Sequence, residues 1–273
     1  MDSGLVIAFL VTLGAGLSTG IGAALALFAK TTNDRFLALA LGFSAGVMLF
    51  VSFGEILPKA QGFFERSGAN FAALSAALWF LMGLVIMALL YRFLPDLPMV
   101  NQRDRDAKTL AASRDTEADS RAALLRAGLL VALAVTIHNF PEGIATFFLT
   151  ADDPAVGLSV GAAIAIHNIP EGIAVAIPLY FALHNKGWAF GLGVASGLAE
   201  PIGALIGYLL LQPYISPALL GGLFATVAGI MVYIALDSLL PAARELDKGQ
   251  LAIYGVIAGM AVMAVSLVLF LLA

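Results

Sequence analysis

The sequence has no cysteine and little charge. Without a cysteine in its 273 residues, the chain has no disulfide framework, no thiolate metal ligand and no cysteine nucleophile. Charged residues make up 12% of the chain, about half of the roughly 25% found in soluble domains. The 14 lysines and arginines do not exceed the 18 aspartates and glutamates, which argues against a nucleic-acid-binding protein.

Apolar sequence is abundant instead, since 61% of the residues are hydrophobic. A soluble protein of this length could not bury so much apolar surface. A helix needs about 20 mostly apolar residues to cross a membrane, and eight segments meet this requirement: 4–28, 36–57, 71–94, 124–150, 155–181, 187–211, 217–243 and 250–272. We therefore predict an all-α integral membrane protein with eight transmembrane helices, forming a single transmembrane domain over residues 1–273.

The distribution of lysine and arginine predicts the orientation. Twelve of these cations fall on one side of the membrane, and only Lys59 and Arg66 fall on the other. Because cytoplasmic loops are enriched in lysine and arginine, we expect both termini to face outside. The one long loop, residues 95–123, is polar with mixed charge, and we predict a mobile cytoplasmic connection there.

Five acidic residues lie inside apolar segments, where charge is costly and typically marks an ion or proton pathway: Glu55, Glu142, Glu171, Glu200 and Asp237. No lysine or arginine lies near a segment centre to pair with them, so they require a metal ion, a proton or an organic cation. A short connection makes the fourth and fifth segments antiparallel neighbours, which puts Glu142 and Glu171 near the bilayer midplane. Glu55 and Asp237 lie nearer the segment ends, where they line an entrance and an exit or act as capping residues.

An internal repeat is the strongest signal in the chain. HNFPEGIA begins at His138 and HNIPEGIA at His167; the copies are 29 residues apart and differ at one position of eight. Helix residues advance by about 100°, so the histidine, asparagine and glutamate of each copy share one face. Imidazole and carboxylate bind Zn²⁺ and other first-row divalent metals. The repeat predicts a metal site on the fourth and fifth helices, with a purely structural hydrogen-bond network as the alternative; its six residues are His138, Asn139, Glu142, His167, Asn168 and Glu171.

Proline and glycine in each copy shape the backbone. Pro141 and Pro170 have no N–H to donate, so each helix is expected to bend and to expose a carbonyl oxygen. Gly143 and Gly172 are expected to allow close approach of a neighbouring helix. Glycine-rich faces of segments 1, 2, 6 and 7 are expected to let helix bundles slide against each other. Glycine-rich faces also allow close packing, either within the internal bundle or between the subunits of a homodimer.

Two further residues lie at mid-depth. Met48 carries a thioether that either contributes to a soft-metal site or packs against its neighbours. Glu200 is followed by Pro201, so the sixth helix is expected to begin or bend at this acid.

With these motifs the sequence resembles the ZIP (Zrt/Irt-like) metal transporters, through the paired HNxPEG motif, the eight helices and the long loop after the third helix. The resemblance covers essentially the whole chain. It implies uptake of Zn²⁺, and also of Fe²⁺, Mn²⁺, Co²⁺ or Cd²⁺, across a bacterial inner membrane into the cytoplasm. It also implies a two-metal site that adds Glu200, Met48 and Glu55 to the six motif residues. The partners are then the metal ions and the lipid bilayer, and the bound metal is cargo rather than a prosthetic group.

Two other classes of protein are alternatives to a transporter. An intramembrane metalloenzyme also uses histidine and carboxylate, but HExxH is absent and no candidate nucleophile is present, so no enzyme is predicted. A proton or monovalent-cation channel would not need paired His, Asn and Glu faces. The residues leave open the metal preference, the choice between carrier and channel, and proton coupling.

Overall fold

The computed structural model describes residues 3–28, 34–93, 117–247 and 249–272, and in these ranges all regular structure is helical. The α-helices are α1 (Ser3–Ala26), α2 (Asp34–Val51), α3 (Leu57–Arg66), α4 (Ala72–Phe93), α5 (Glu117–Asp152), α6 (Pro154–Leu183), α7 (Lys186–Gly197), α8 (Ala199–Leu211), α9 (Pro217–Ile234), α10 (Leu240–Leu246) and α11 (Leu251–Leu272). Two π-helical segments, Ser52–Ile56 and Ala235–Leu239, join α2 to α3 and α9 to α10.

Seven stretches of the described chain are long and apolar enough to cross a membrane: Ser3–Ala26, Ala38–Arg66, Ala72–Leu90, Pro154–Leu183, Lys186–Tyr214, Pro217–Arg244 and Leu251–Val268. They coincide with seven of the eight predicted segments, and the protein is a helical, multi-pass membrane protein. The remaining predicted segment, 124–150, lies within α5, which is not one of these stretches. Eight transmembrane helices and outside termini therefore stay predictions.

Two predicted boundaries differ from the structure. The second membrane stretch continues beyond residue 57 to Arg66, because the helix extends past the last residue of the apolar segment. Pro58 lacks an N–H, and the Leu57 N–H reaches back to the Ser52 carbonyl, five residues earlier, so the chain stays helical through a π-helical turn. Most of the predicted loop, 95–123, lies outside the described residues, and residues 117–123 belong to α5.

The helices pack as two bundles. The motif bundle consists of α1, α5, α6, α7 and α8, and the second bundle consists of α2, α3, α4, α9, α10 and α11. Between the bundles, packing is confined mainly to α2 and α11 against α6 and to α9 against α5. An exposed ion pair also joins them, with Arg66 Nη1 3.1 Å from Asp152 Oδ2.

Glycines bring helices into backbone contact inside each bundle. A Cβ on Gly22 would collide with the Ile169 carbonyl in the motif bundle, and a Cβ on Gly83 would collide with the Thr226 carbonyl in the second bundle. Every described glycine that abuts the backbone of another helix does so within its own bundle. These close contacts lie inside each bundle, and sliding along the glycine-rich faces stays a prediction. A homodimer stays a prediction.

Candidate metal site

A tight turn sets the two motif helices side by side. Asp153 caps the start of α6, where its carboxylate accepts hydrogen bonds from the N–H groups of Ala155 (3.0 Å) and Val156 (3.1 Å). Pro154 occupies the first helical position, where its missing N–H costs nothing. Because α5 ends at Asp152 and α6 starts at Pro154, the helices run antiparallel in contact, and the two motifs meet.

Histidines and glutamates of the two motifs pair across the helix interface. His138 Nε2 lies 3.2 Å from both carboxylate oxygens of Glu171. His167 Nε2 lies 3.3 Å from Glu142 Oε1, close enough for an ion pair but without hydrogen-bond geometry. All four side chains are buried. The prediction that Glu142 and Glu171 lie on adjacent helices is confirmed, and each histidine contacts the glutamate of the other motif.

The two asparagines are held by their amide nitrogens. Asn139 Nδ2 donates to the Ser196 carbonyl (3.3 Å), and Asn168 Nδ2 donates to the Ala15 carbonyl (2.9 Å) and to Glu200 Oε1. Because each amide nitrogen donates a hydrogen bond to a backbone carbonyl, each side-chain oxygen is oriented away and can accept a hydrogen bond or bind a metal ion. Both Oδ1 atoms are buried, and within the described ranges neither has a hydrogen-bond partner. A metal ligand needs such a free oxygen.

Several other buried polar atoms of the site also lack hydrogen-bond partners in the described part of the chain. They comprise both carboxylate oxygens of Glu142, both ring nitrogens of His167, and Oε2 of Glu200. Buried polar groups are nearly always satisfied, because leaving one unpaired costs about 1–3 kcal/mol. Nitrogen and oxygen atoms of these types are the ligands that divalent first-row metals take. The donor set therefore suits a metal ion, although no three His, Asp or Glu side chains in the described chain already form a metal-binding cluster.

Glycines let the backbone close around the site. A Cβ on Gly143 would collide with the Glu200 backbone, and a Cβ on Gly172 would collide with the Thr19 carbonyl. This confirms the predicted close approach at both motif glycines. The predicted break near Glu200 is also confirmed, since α7 ends at Gly197 and α8 begins at Ala199. Pro141 and Pro170 lie inside continuous helices.

Two predicted site residues lie in the second bundle. Met48 is fully buried on α2, and Glu55 lies in the π-helical segment Ser52–Ile56. The prediction that Glu55 has no lysine or arginine partner is wrong, because Lys59 Nζ lies 2.5 Å from its Oε1. Residues four apart share a helix face, and the flexible lysine stem lets its ammonium group reach back. The spacing of these two residues was the overlooked signal.

Comparisons with known proteins identify the family of the chain. A family model described as ZIP Zinc transporter matches residues 96–267. A protein named Zinc transporter ZupT from Nitratidesulfovibrio vulgaris is 50% identical over 275 residues, covering 99% of both chains. A protein of the same name from Stenotrophomonas maltophilia (strain R551-3) is 48% identical over 269 residues, covering 97% of this chain and 96% of that protein. This chain is not an enzyme: it belongs to the ZIP zinc transporter family.

Proposed function

We propose that this protein takes up divalent transition-metal ions, chiefly Zn²⁺, across the bacterial inner membrane into the cytoplasm. The observation that carries the proposal is the set of buried ligand atoms between α5 and α6 that form no hydrogen bond with any described residue. The hydrocarbon core offers no water to satisfy such atoms, whereas a metal ion would satisfy several at once. The names of the relatives support zinc as the substrate.

The site is proposed to hold two metal ions. A hydrated ion arrives from outside, attracted by Asp152 and Asp153 on the exposed turn between α5 and α6. It then exchanges water for imidazole, amide and carboxylate ligands. Glu142, Glu171 and Glu200 offset three of the four positive charges of two divalent ions. Glu55 is the candidate for the fourth, and for it to act the Lys59 ammonium has to move away.

Transport is proposed to be carrier-type, with one bundle moving against the other. The seven His, Asn and Glu residues of the site all belong to the motif bundle. The ions would therefore travel with that bundle, while Met48 and Glu55 on the second bundle border the path. The Arg66–Asp152 pair is no obstacle to such a movement, because an exposed ion pair contributes about 0–1 kcal/mol.

Uptake by purified protein tests the proposed function. Proteoliposomes containing the full chain and an internal zinc-sensitive dye are expected to show zinc uptake that saturates with external zinc. Saturation with strong temperature dependence supports a carrier rather than a channel. Well-folded protein that takes up no zinc, iron or cadmium would contradict the proposal.

We propose that zinc binding displaces protons from the site, and this proton linkage is tested separately. Because histidine and carboxylate ligands bind metal in their deprotonated forms, protons compete with zinc at the site. Lowering the external pH from about 7.5 to about 5.5 is expected to raise the KM for zinc, measured with the internal pH held constant. Uptake kinetics that stay the same across this range would rule out the linkage.

A further inference from the structure

Besides the HNxPEG repeat, the chain contains a second, inverted repeat, whose two copies pack against the motif helices. Residues 15–22 of α1 read AGLSTGIG, and residues 196–203 at the α7–α8 junction read SGLAEPIG, with four of eight positions identical. The two stretches touch reciprocally, since a Cβ on Gly16 would collide with the Gly197 carbonyl and a Cβ on Gly197 with the Gly16 carbonyl. Such reciprocity is what a pseudo-two-fold axis between the two glycines requires.

The same correspondence extends to the motif helices. Asn168 donates to the Ala15 carbonyl, and Asn139 donates to the Ser196 carbonyl; these acceptors are the first residues of the two stretches. The last residues of the stretches also correspond: a Cβ on Gly22 would collide with the Ile169 carbonyl, and a Cβ on Gly203 with the Phe140 carbonyl. Each motif therefore packs against its own copy of the second repeat.

Thr19 occupies the position in α1 that Glu200 occupies in α8. Each is the fifth residue of its stretch. The Thr19 carbonyl abuts Gly172, and the Glu200 carbonyl abuts Gly143, the equivalent glycine of the other motif. At these equivalent positions, α8 carries a carboxylate and α1 carries a neutral hydroxyl.

The Thr19 hydroxyl is fully buried and has no hydrogen-bond partner among the residues that the structure describes. A helical threonine usually donates to the carbonyl four residues earlier, as Thr12 does to Ala8 at 2.9 Å. For Thr19 that acceptor is the Ala15 carbonyl, which already accepts from Asn168 (2.9 Å) and from the Ser18 hydroxyl (2.6 Å). A carbonyl oxygen has two lone pairs, so the Thr19 hydroxyl is displaced from its ordinary partner.

We propose that the Thr19 hydroxyl is a further ligand for the divalent ion, and this inference rests on the proposed function. It binds through its neutral oxygen, at the position in α1 that corresponds to Glu200 in α8. An ion held by Thr19 instead of Glu200 lacks the charge that Glu200 supplies, so it is bound more weakly. A transporter needs such a weaker position, because it must release the ion that it has bound.

Zinc binding to the purified full-length protein, measured by calorimetry, tests the ligand role. Thr19→Val, which replaces the hydroxyl by a methyl group, is expected to lower zinc affinity about tenfold. Thr19→Ser keeps the hydroxyl and should retain nearly native affinity. Thr12→Val is the matched control, since it removes a buried hydroxyl from the same helix that is satisfied by Ala8. Cadmium is softer than zinc and depends less on a hydroxyl oxygen, so its affinity should fall less in Thr19→Val.

The outcomes separate this inference from the transport function. Native zinc affinity in Thr19→Val overturns the ligand role of Thr19. An equal loss of zinc affinity in Thr12→Val also overturns it, and so does an equal loss of zinc and cadmium affinity in Thr19→Val. Either of these two losses would indicate altered helix packing rather than a missing ligand. Native protein that binds no zinc also overturns it. A zinc-selective loss in Thr19→Val supports the inference even if native proteoliposomes take up no zinc, in which case only the uptake proposal fails.

Discussion

Zinc uptake is expected to fall by about 100-fold or more when Glu171 is replaced by glutamine, measured as the initial rate in proteoliposomes. Glutamine has nearly the same shape, so the packing between α5 and α6 survives. The substitution removes a negative charge at a fully buried position and leaves His138 facing a neutral amide. Glu142→Gln is expected to have an effect of similar size, because Glu142 lies 3.3 Å from His167 Nε2 and is equally buried.

Glu65→Gln is the matched control for these variants. Glu65 lies on the exposed end of α3, where its carboxylate accepts a hydrogen bond from Gln61 at 2.9 Å. Its replacement should leave the rate of zinc uptake unchanged. Native uptake by both Glu171→Gln and Glu142→Gln would show that metal does not pass through the repeated motif, whatever the protein transports.

Alanine in place of Gly143 is expected to destabilise the protein by several kcal/mol or to prevent its folding. Inserting a methylene-sized group into a packed core usually costs about 1–3 kcal/mol. Here the new Cβ meets the backbone of Glu200 rather than a flexible side chain, so the cost should be at or above the upper end of that range. A lower midpoint in a detergent thermal-shift assay, together with lost zinc uptake, is the expected result.

Gly14→Ala provides the control for the glycine experiment. Gly14 lies on α1, where an added Cβ would have no atom of the described residues within 4 Å. Alanine favours helix over glycine by about 0.8–1 kcal/mol, so this variant should be as stable as the native protein or slightly more stable. A Gly143→Ala variant with native stability and native uptake would mean that α5 and α8 are not in backbone contact at Glu200.

The membrane helices could be predicted from composition alone. In lipid every backbone polar group must be satisfied within the chain, so an apolar run of sufficient length becomes a helix whatever its neighbours are. Seven predicted segments coincide with membrane stretches of the structure for this reason. The boundary at residue 57 was less predictable. The π-helical segment Ser52–Ile56 precedes Pro58, and it keeps the chain helical where a proline usually ends a helix.

The residues of the candidate site were also visible in the sequence, because helical spacing puts the His, Asn and Glu of each motif on one face. The local pattern could not show which groups meet. Lys59 was overlooked as the partner of Glu55, although both lie on one short stretch of helix.

The sequence by itself determined a helical membrane protein with two copies of a motif of His, Asn and Glu on one helix face. Only the tertiary structure decided that His138 faces Glu171 rather than Glu142, and that Asn168 is held by a carbonyl 153 residues away, at Ala15. It also decided that Thr19 loses its ordinary helical acceptor. The physical reason is that helical periodicity specifies which side chains share a face, whereas the partners of that face depend on how separate helices pack.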